Sequence, residues 1–94
     1  MKERAEKFVV EWLKNNIDAN VLDAVFIDEF VNATGCTFSV TTLGANKCNY
    51  AGRTLSRMFG ENTLKRFAVG LGSNYQAGFP KWVYSYTLNV YHPA

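Results

Sequence analysis

The chain has 94 residues, of which 48% are hydrophobic and 19% are charged, and these values are typical of one globular domain, 1–94, and exclude a disordered tail. No apolar run approaches the ~20 residues that a membrane-spanning helix requires. The N-terminus is charged from its second residue and lacks the apolar core of a signal peptide, so a cytoplasmic protein without membrane contact is predicted.

Positive charge is concentrated in the second half of the chain. Residues 1–45 carry four basic and seven acidic side chains, whereas residues 46–94 carry six basic side chains and one acidic side chain. Such asymmetry indicates a polyanionic partner, because neutralisation of phosphates drives affinity for nucleic acid. A solvated basic face without a partner would give the same count.

Apolar residues at helical spacing predict a first helix over about 3–16 and a second over about 23–34. Gly35 stands where a C-terminal cap of the second helix belongs, and Val25 could instead belong to a short extended piece before that helix. The β-branched segment 36–45 fits a short strand or an ordered loop, and the sequence leaves both open.

A third helix is predicted over about 47–59, with Asn46 as its N-cap and Gly60 as its C-terminal glycine. At about 100° per residue, one face is apolar and consists of Cys48, Ala51, Leu55, Met58 and Phe59. The opposite face contains no acidic residue and consists of Asn46, Asn49, Tyr50, Arg53, Ser56 and Arg57. An ordinary solvated helix face would usually mix glutamate with lysine.

After Gly60 the apolar residues recur at every second position. This alternation predicts strands over about 64–71 and 82–90, joined by a polar loop. Aromatic residues at this period normally line the inner face of a hairpin, so Trp82, Tyr84 and Tyr86 are assigned to packing. Tyr75, on the polar loop, is the aromatic residue least suited to a core.

The sequence offers little for catalysis or for metal binding. Cys36 and Cys48 are the two cysteines of the chain, and His92 is its one histidine, so the ligands for a metal site are too few and none is predicted. Both cysteines are expected to pack as small apolar residues. A disulfide is not expected in a reducing compartment. The glycine-rich segment 70–78 lacks the Lys-Ser/Thr pair of a phosphate loop, and neither an enzyme nor a cofactor is predicted.

The order of these elements resembles a winged helix-turn-helix domain. The segment "AGRTLSRMFGENTLKR" is similar to that family's recognition helix, turn and opening wing strand, and "GFPKWVYSYTL" resembles the returning strand. The resemblance implies an α+β fold, with three helices followed by a two-stranded β-hairpin wing. The connection from Cys36 to Ala45 exceeds the turn of a simple helix-turn-helix, so this loop could itself touch the partner.

In that family the third helix enters the major groove of double-stranded DNA and the wing reaches a flanking groove or the backbone. The resemblance implies base contacts from three residues of the third helix and phosphate or sugar contacts from residues beside them and in the wing. The set is Asn46, Lys47, Asn49, Tyr50, Arg53, Ser56, Arg57, Arg66, Asn74, Tyr75 and Lys81. Arg53, Arg57 and Asn49 are the base-reading residues, since arginine suits guanine and asparagine suits adenine.

The expected function is therefore that of a small transcriptional regulator or replication-associated DNA-binding protein, and the small size suggests a phage or another mobile element. A homodimer is compatible with it, because one winged helix buries little DNA and the amphipathic first helix could pair. Two alternatives remain open: a protein-interaction module, for example a phage-encoded modulator of a host protein, and a binder of single strands or RNA.

Overall fold

The computed structural model describes residues 2–36, 39–40, 46–71 and 81–89. The elements in chain order are α1 (Lys2–Asn15), α2 (Ala24–Thr34), β1 (Ser39–Val40), β2 (Asn46–Lys47), α3 (Asn49–Gly60), β3 (Leu64–Gly70) and β4 (Trp82–Leu88). Strands β1 and β2 pair antiparallel, and so do β3 and β4. The predicted α+β fold of three helices followed by a two-stranded hairpin is confirmed, and this order is compatible with a winged helix.

Helix α1 buries the apolar stripe that its sequence predicts, with Ala5, Val9 and Leu13 turned into the core. Trp12 is also buried, and its indole Nε1 donates a hydrogen bond to the Asp18 carbonyl at 2.8 Å. A buried indole needs such a partner, and here the bond also fixes the path of the chain after the helix. Within the described residues, no helix is both long enough and apolar enough to cross a membrane.

Helix α2 has a side-chain cap at its N-terminus and a backbone cap at its C-terminus. The Asp23 carboxylate accepts hydrogen bonds from the backbone N–H groups of Val25 and Phe26, which satisfies two donors that the first turn leaves open. Gly35 adopts a φ of 70°, and its N–H donates to the Val31 carbonyl, so its predicted role as the C-terminal cap is confirmed.

The extended residue before α2 is Ala19 and not Val25, which lies inside the helix. Ala19 and Tyr86 exchange two backbone hydrogen bonds of 2.9 Å each, so the α1–α2 connection adds one bridge to the free side of β4. Asp23 caps the helix one residue ahead of Ala24, and Val25 is therefore already part of the first turn.

Helix α3 begins later than the sequence predicts. Asn46 is not its N-cap and Lys47 is not in the helix, because both belong to β2 and pair with Val40 and Ser39 of β1. This pairing keeps the backbone extended until Cys48, which precedes the first helical residue. The segment 36–45 thus contains a short strand, while residues 37–38 and 41–45 lie outside the described residues.

The end of α3 also differs from the prediction. Gly60 is the last helical residue, and the positive φ of 65° belongs to Asn62. Asparagine is among the few residues other than glycine that tolerate this conformation, so the turn does not require the glycine. The predicted inner face is confirmed, since Ala51, Leu55 and Met58 are buried.

The core lies where the three helices meet the base of the hairpin. Phe26 of α2 has its ring centroid 5.3 Å from that of Trp12 and 5.9 Å from those of Phe8 and Phe30. Tilted and edge-to-face contacts of this kind add to the roughly 1.5–3 kcal/mol gained by burying each large side chain. Leu64 and Tyr86 bring the hairpin into the same cluster.

The hairpin presents one face to the helices and the other outward. Leu64 is buried and Arg66 contacts α3, so alternation along the strand turns Lys65, Phe67 and Val69 away from the helices. Phe67 is 55% exposed and Val69 is 42% exposed. Phe67 and Val69 therefore lie on the outer face of the hairpin, and Leu64 is the apolar side chain of β3 that reaches the core.

Candidate nucleic-acid interface

Three exposed polar side chains form a row along the outer side of α3. Asn49, Arg53 and Ser56 are spaced at one helical turn and are all exposed, and we call this row the α3 ridge. Helix α3 contains no acidic residue. Side chains at this spacing share one face of a helix, so the ridge offers an amide, a guanidinium and a hydroxyl to the same partner surface.

A groove of about 580 Å³ lies between the α3 ridge and β4. Trp82 and Tyr84 of β4 form one wall, and the ridge forms the other. Val21 and Leu22, from the α1–α2 connection, complete the lining. Arg53 is the single ionised side chain among the described residues that line the groove, and no carboxylate is among them.

The α1–α2 connection is held against β4 by hydrogen bonds, and these bonds set the position of one side of the groove. Ser85 Oγ donates to Asp18 Oδ2 at 2.7 Å, and the backbone bridge between Ala19 and Tyr86 lies beside this bond. Gly52 faces the connection from α3, and a Cβ at this position would lie 3.6 Å from Val21 Cγ1. This distance is ordinary van der Waals contact, so α3 and the connection lie close together at this point.

Arg57, predicted to read a base, is engaged within the fold. Its Nε donates to Glu6 Oε2 at 3.0 Å, and the two side chains are only about 30% exposed. The bond connects α3 to α1, so the guanidinium is drawn away from the α3 ridge and its charge is balanced by the carboxylate. A charge-assisted hydrogen bond in this partly buried position stabilises the packing of the two helices.

Arg66 is also placed by the fold. Its guanidinium carbon lies 3.9 Å from the ring centroid of Phe59 and 4.2 Å from that of Tyr84, so the cation is sandwiched between two aromatic faces. Tyr50 is half-buried and packs edge-to-face on Phe30, with the ring centroids 5.8 Å apart. Neither side chain is part of the α3 ridge.

The remaining five predicted site residues divide into three groups. Lys81 is exposed and directly precedes Trp82, and its carbonyl accepts a hydrogen bond of 3.0 Å from the Leu71 N–H. The backbone of Asn46 and Lys47 lies in β2, and Asn74 and Tyr75 lie outside the described residues. The structure thus brings Asn49, Arg53 and Ser56 together, and it places Arg57 and Arg66 elsewhere.

Trp82 is the groove residue that sequence reasoning missed. It was expected to be packed, yet it is 50% exposed and rests on the Tyr84 ring with a centroid distance of 4.7 Å. A period of two assigns it to the inner face correctly, but it does not give the distance from the core. The sequence signal for its exposure was its position at the start of β4. There it pairs with Gly70, at the end of the hairpin away from the buried Leu64.

Comparison of the chain with protein-family models, with curated proteins and with solved structures finds no match in any of the three. The class of protein is therefore defined by its architecture: an α+β protein with three helices and a β-hairpin in an order compatible with a winged helix.

Proposed function

We propose that this protein binds double-stranded DNA by inserting the α3 ridge into the major groove, with the β3–β4 hairpin beside the backbone. The observation that carries the proposal is the exposed, acid-free row of Asn49, Arg53 and Ser56 on α3. Arginine can make a bidentate contact with guanine O6 and N7, and asparagine can do so with adenine N6 and N7. Ser56 can donate to a phosphate oxygen.

The cations in this proposal are fewer than the charge count suggests. Arg57 is paired with Glu6, and Arg66 is held between two rings, so both act within the fold. Arg53 is left as the base-reading arginine of the ridge, and it is the ionised side chain among the described residues that line the groove. With so few phosphate contacts, one chain would bind with a shallow dependence on salt, and a transcriptional regulator or replication-associated factor would gain affinity as a dimer.

The test is a titration of duplex DNA at several salt concentrations with wild type, Arg53→Ala and Lys65→Ala. Both variants remove one positive charge, but Lys65 lies on the outer face of the hairpin, away from the ridge. Arg53→Ala is expected to weaken binding by about 1–3 kcal/mol and to relax the preference for guanine at the base pair that it contacts. Lys65→Ala is expected to bind as wild type does.

Equal binding by wild type and Arg53→Ala would refute the major-groove proposal. Equal weakening by the two variants would mean that only net charge matters, and it would also refute a specific contact from the ridge. Arg57→Ala, measured beside them, is expected to keep the wild-type salt slope in the fraction that is folded.

A second candidate function is the binding of single-stranded nucleic acid, and the exposed ring of Trp82 favours it. Trp82 stands across the groove from Arg53, and the described lining carries no carboxylate. An aromatic platform beside a cation is the arrangement on which unpaired bases stack, and each stacked base contributes about 1–3 kcal/mol. Preference for a single strand over a duplex, lost in Trp82→Ala, would favour this function. Failure to bind either nucleic acid would favour the protein-interaction module instead.

A further inference from the structure

Cys36 and Cys48 meet at the two ends of the connection between α2 and α3. They are 12 positions apart in the sequence, but their Sγ atoms are 3.3 Å apart and both are thiols. A disulfide has a sulfur–sulfur bond of about 2.05 Å, so the two atoms need to approach by roughly 1.2 Å to form one. The pairing of β1 with β2 folds the connection back on itself, and this brings the two cysteines together.

The two cysteines differ in their access to solvent. Cys36 is partly exposed, and its backbone N–H donates to Thr34 Oγ1 at 3.3 Å, which holds it at the end of α2. Cys48 is buried under the first turn of α3. Burial raises the pKa of the Cys48 thiol, and the backbone groups of Ala51 and Tyr50 offset only part of this effect. A reagent in solution therefore meets Cys36 first.

We propose that Cys36 and Cys48 are a redox-active pair that a small disulfide oxidant, such as oxidised glutathione, converts reversibly into an intramolecular disulfide. The Cys36 thiolate attacks one sulfur of the oxidant, whose disulfide breaks and releases one thiol. Cys48 then attacks the Cys36 sulfur of the mixed disulfide and releases the second thiol. Two protein thiols are oxidised, one external disulfide is reduced, and the two protons leave on the released thiols.

The disulfide would tie the end of α2 to the start of α3, the helix that carries the ridge. It would close the loop between the two helices and remove conformational freedom from the unfolded chain, so the oxidised protein should be the more stable form. The proposal rests on the placement of the two sulfurs, and it holds whether or not the protein binds DNA.

The test exposes the full chain to glutathione buffers of graded redox ratio, followed by acid quenching, alkylation and intact-mass measurement. The expected product is a monomer about 2 Da lighter than the reduced chain, without alkylated cysteine, and restored by dithiothreitol. Its Tm should rise by several degrees over that of the reduced form. Two variants test the order of events: Cys48→Ser should stop at a glutathione adduct on Cys36, and Cys36→Ser should leave the buried Cys48 largely unmodified.

Stable glutathione adducts on both cysteines of the wild-type chain would overturn the proposal, and so would disulfides formed only between chains. Equal modification of the two single variants would overturn the assigned order of attack. The measurement on the wild-type chain decides the main claim even if a serine variant fails to fold.

Discussion

Two basic side chains, Arg57 on α3 and Arg66 on β3, stabilise the fold through contacts with other elements. Arg57 is bonded to Glu6, 51 positions earlier, and Arg66 is stacked between Phe59 and Tyr84. In both cases the charge is partly screened from solvent, and the aliphatic part of the side chain packs as well. Removing either side chain should therefore lower stability, even though both are basic residues at a predicted nucleic-acid surface.

Arg57→Ala is expected to lower the free energy of unfolding by about 1–2 kcal/mol, because it removes a charge-assisted hydrogen bond in a partly buried position. Urea denaturation of wild type, Arg57→Ala, Glu6→Gln and the double variant would give the coupling energy between the two residues. Additive effects in this cycle would show that the contact between the two side chains contributes nothing to stability.

Arg66→Ala should cost about 1–2 kcal/mol of stability, since the guanidinium loses two aromatic faces at about 4 Å. The neighbouring Lys65→Ala is the matched control, because it removes the same charge from the exposed outer face. Its effect should be within 0.5 kcal/mol, roughly the value for ordinary surface positions. Thermal or urea unfolding of the two variants measures the difference, and equal costs would contradict the sandwich.

At the scale of the elements, the ends of helices and the edges of strands position the groove. After α1 the chain is held by the hydrogen bond from Trp12 to the Asp18 carbonyl, and Ala19 then pairs with β4. Helix α2 begins after its N-cap, Asp23. The connection between α2 and α3 contains the β1–β2 pair and therefore delays the start of α3 to Asn49. The ridge begins at that first helical residue.

Two glycines at helix ends should respond to alanine in opposite ways. Gly35 has a φ of 70° and Gly60 is helical, while a Cβ at either position would meet nothing within 4 Å. Gly35→Ala should therefore destabilise the protein by about 1 kcal/mol through backbone strain alone. Gly60→Ala should be neutral or should stabilise α3 by up to about 1 kcal/mol. Urea unfolding of both variants checks this, and a loss at Gly60 similar to that at Gly35 would contradict the observed end of α3.

At the scale of the whole molecule, the groove is built from three parts that are distant in sequence. Helix α3 supplies the ridge, β4 supplies Trp82 and Tyr84, and the α1–α2 connection supplies Val21 and Leu22. A ligand seated on the ridge would also cover Trp82, which makes this residue a reporter of occupancy. Trp12, the other tryptophan of the chain, is 8% exposed and should be insensitive to a ligand at the groove.

Acrylamide quenching of tryptophan fluorescence should therefore be dominated by Trp82, which is 50% exposed. Saturation with the nucleic acid that binds best should lower the quenching constant of wild type several-fold if the ligand lies on the ridge, because the ring is then shielded. Trp82→Phe should show weak quenching with or without the ligand. A bound ligand that leaves the wild-type quenching unchanged would place binding away from the groove.

Much of the fold follows from local patterns that the structure confirms. The apolar stripes of the three helices, the cap at Gly35 and the two strands of the hairpin lie close to the predicted positions. Errors arose where strand pairing overruled a residue's local helical preference, as at Asn46 and Lys47, which pair with β1. The left-handed backbone conformation expected at Gly60 occurs at Asn62 instead, because asparagine tolerates a positive φ as glycine does.

The candidate site was only partly predictable. Asn49, Arg53 and Ser56 follow from helical periodicity and from the absence of acidic residues on α3, and the amino-acid sequence by itself determines their common face. Only the tertiary structure engages Arg57 with Glu6, leaves Trp82 exposed and brings Cys36 within 3.3 Å of Cys48. The physical reason is that periodicity gives the direction of a side chain from its own element, whereas its partners and its depth depend on which other elements pack there.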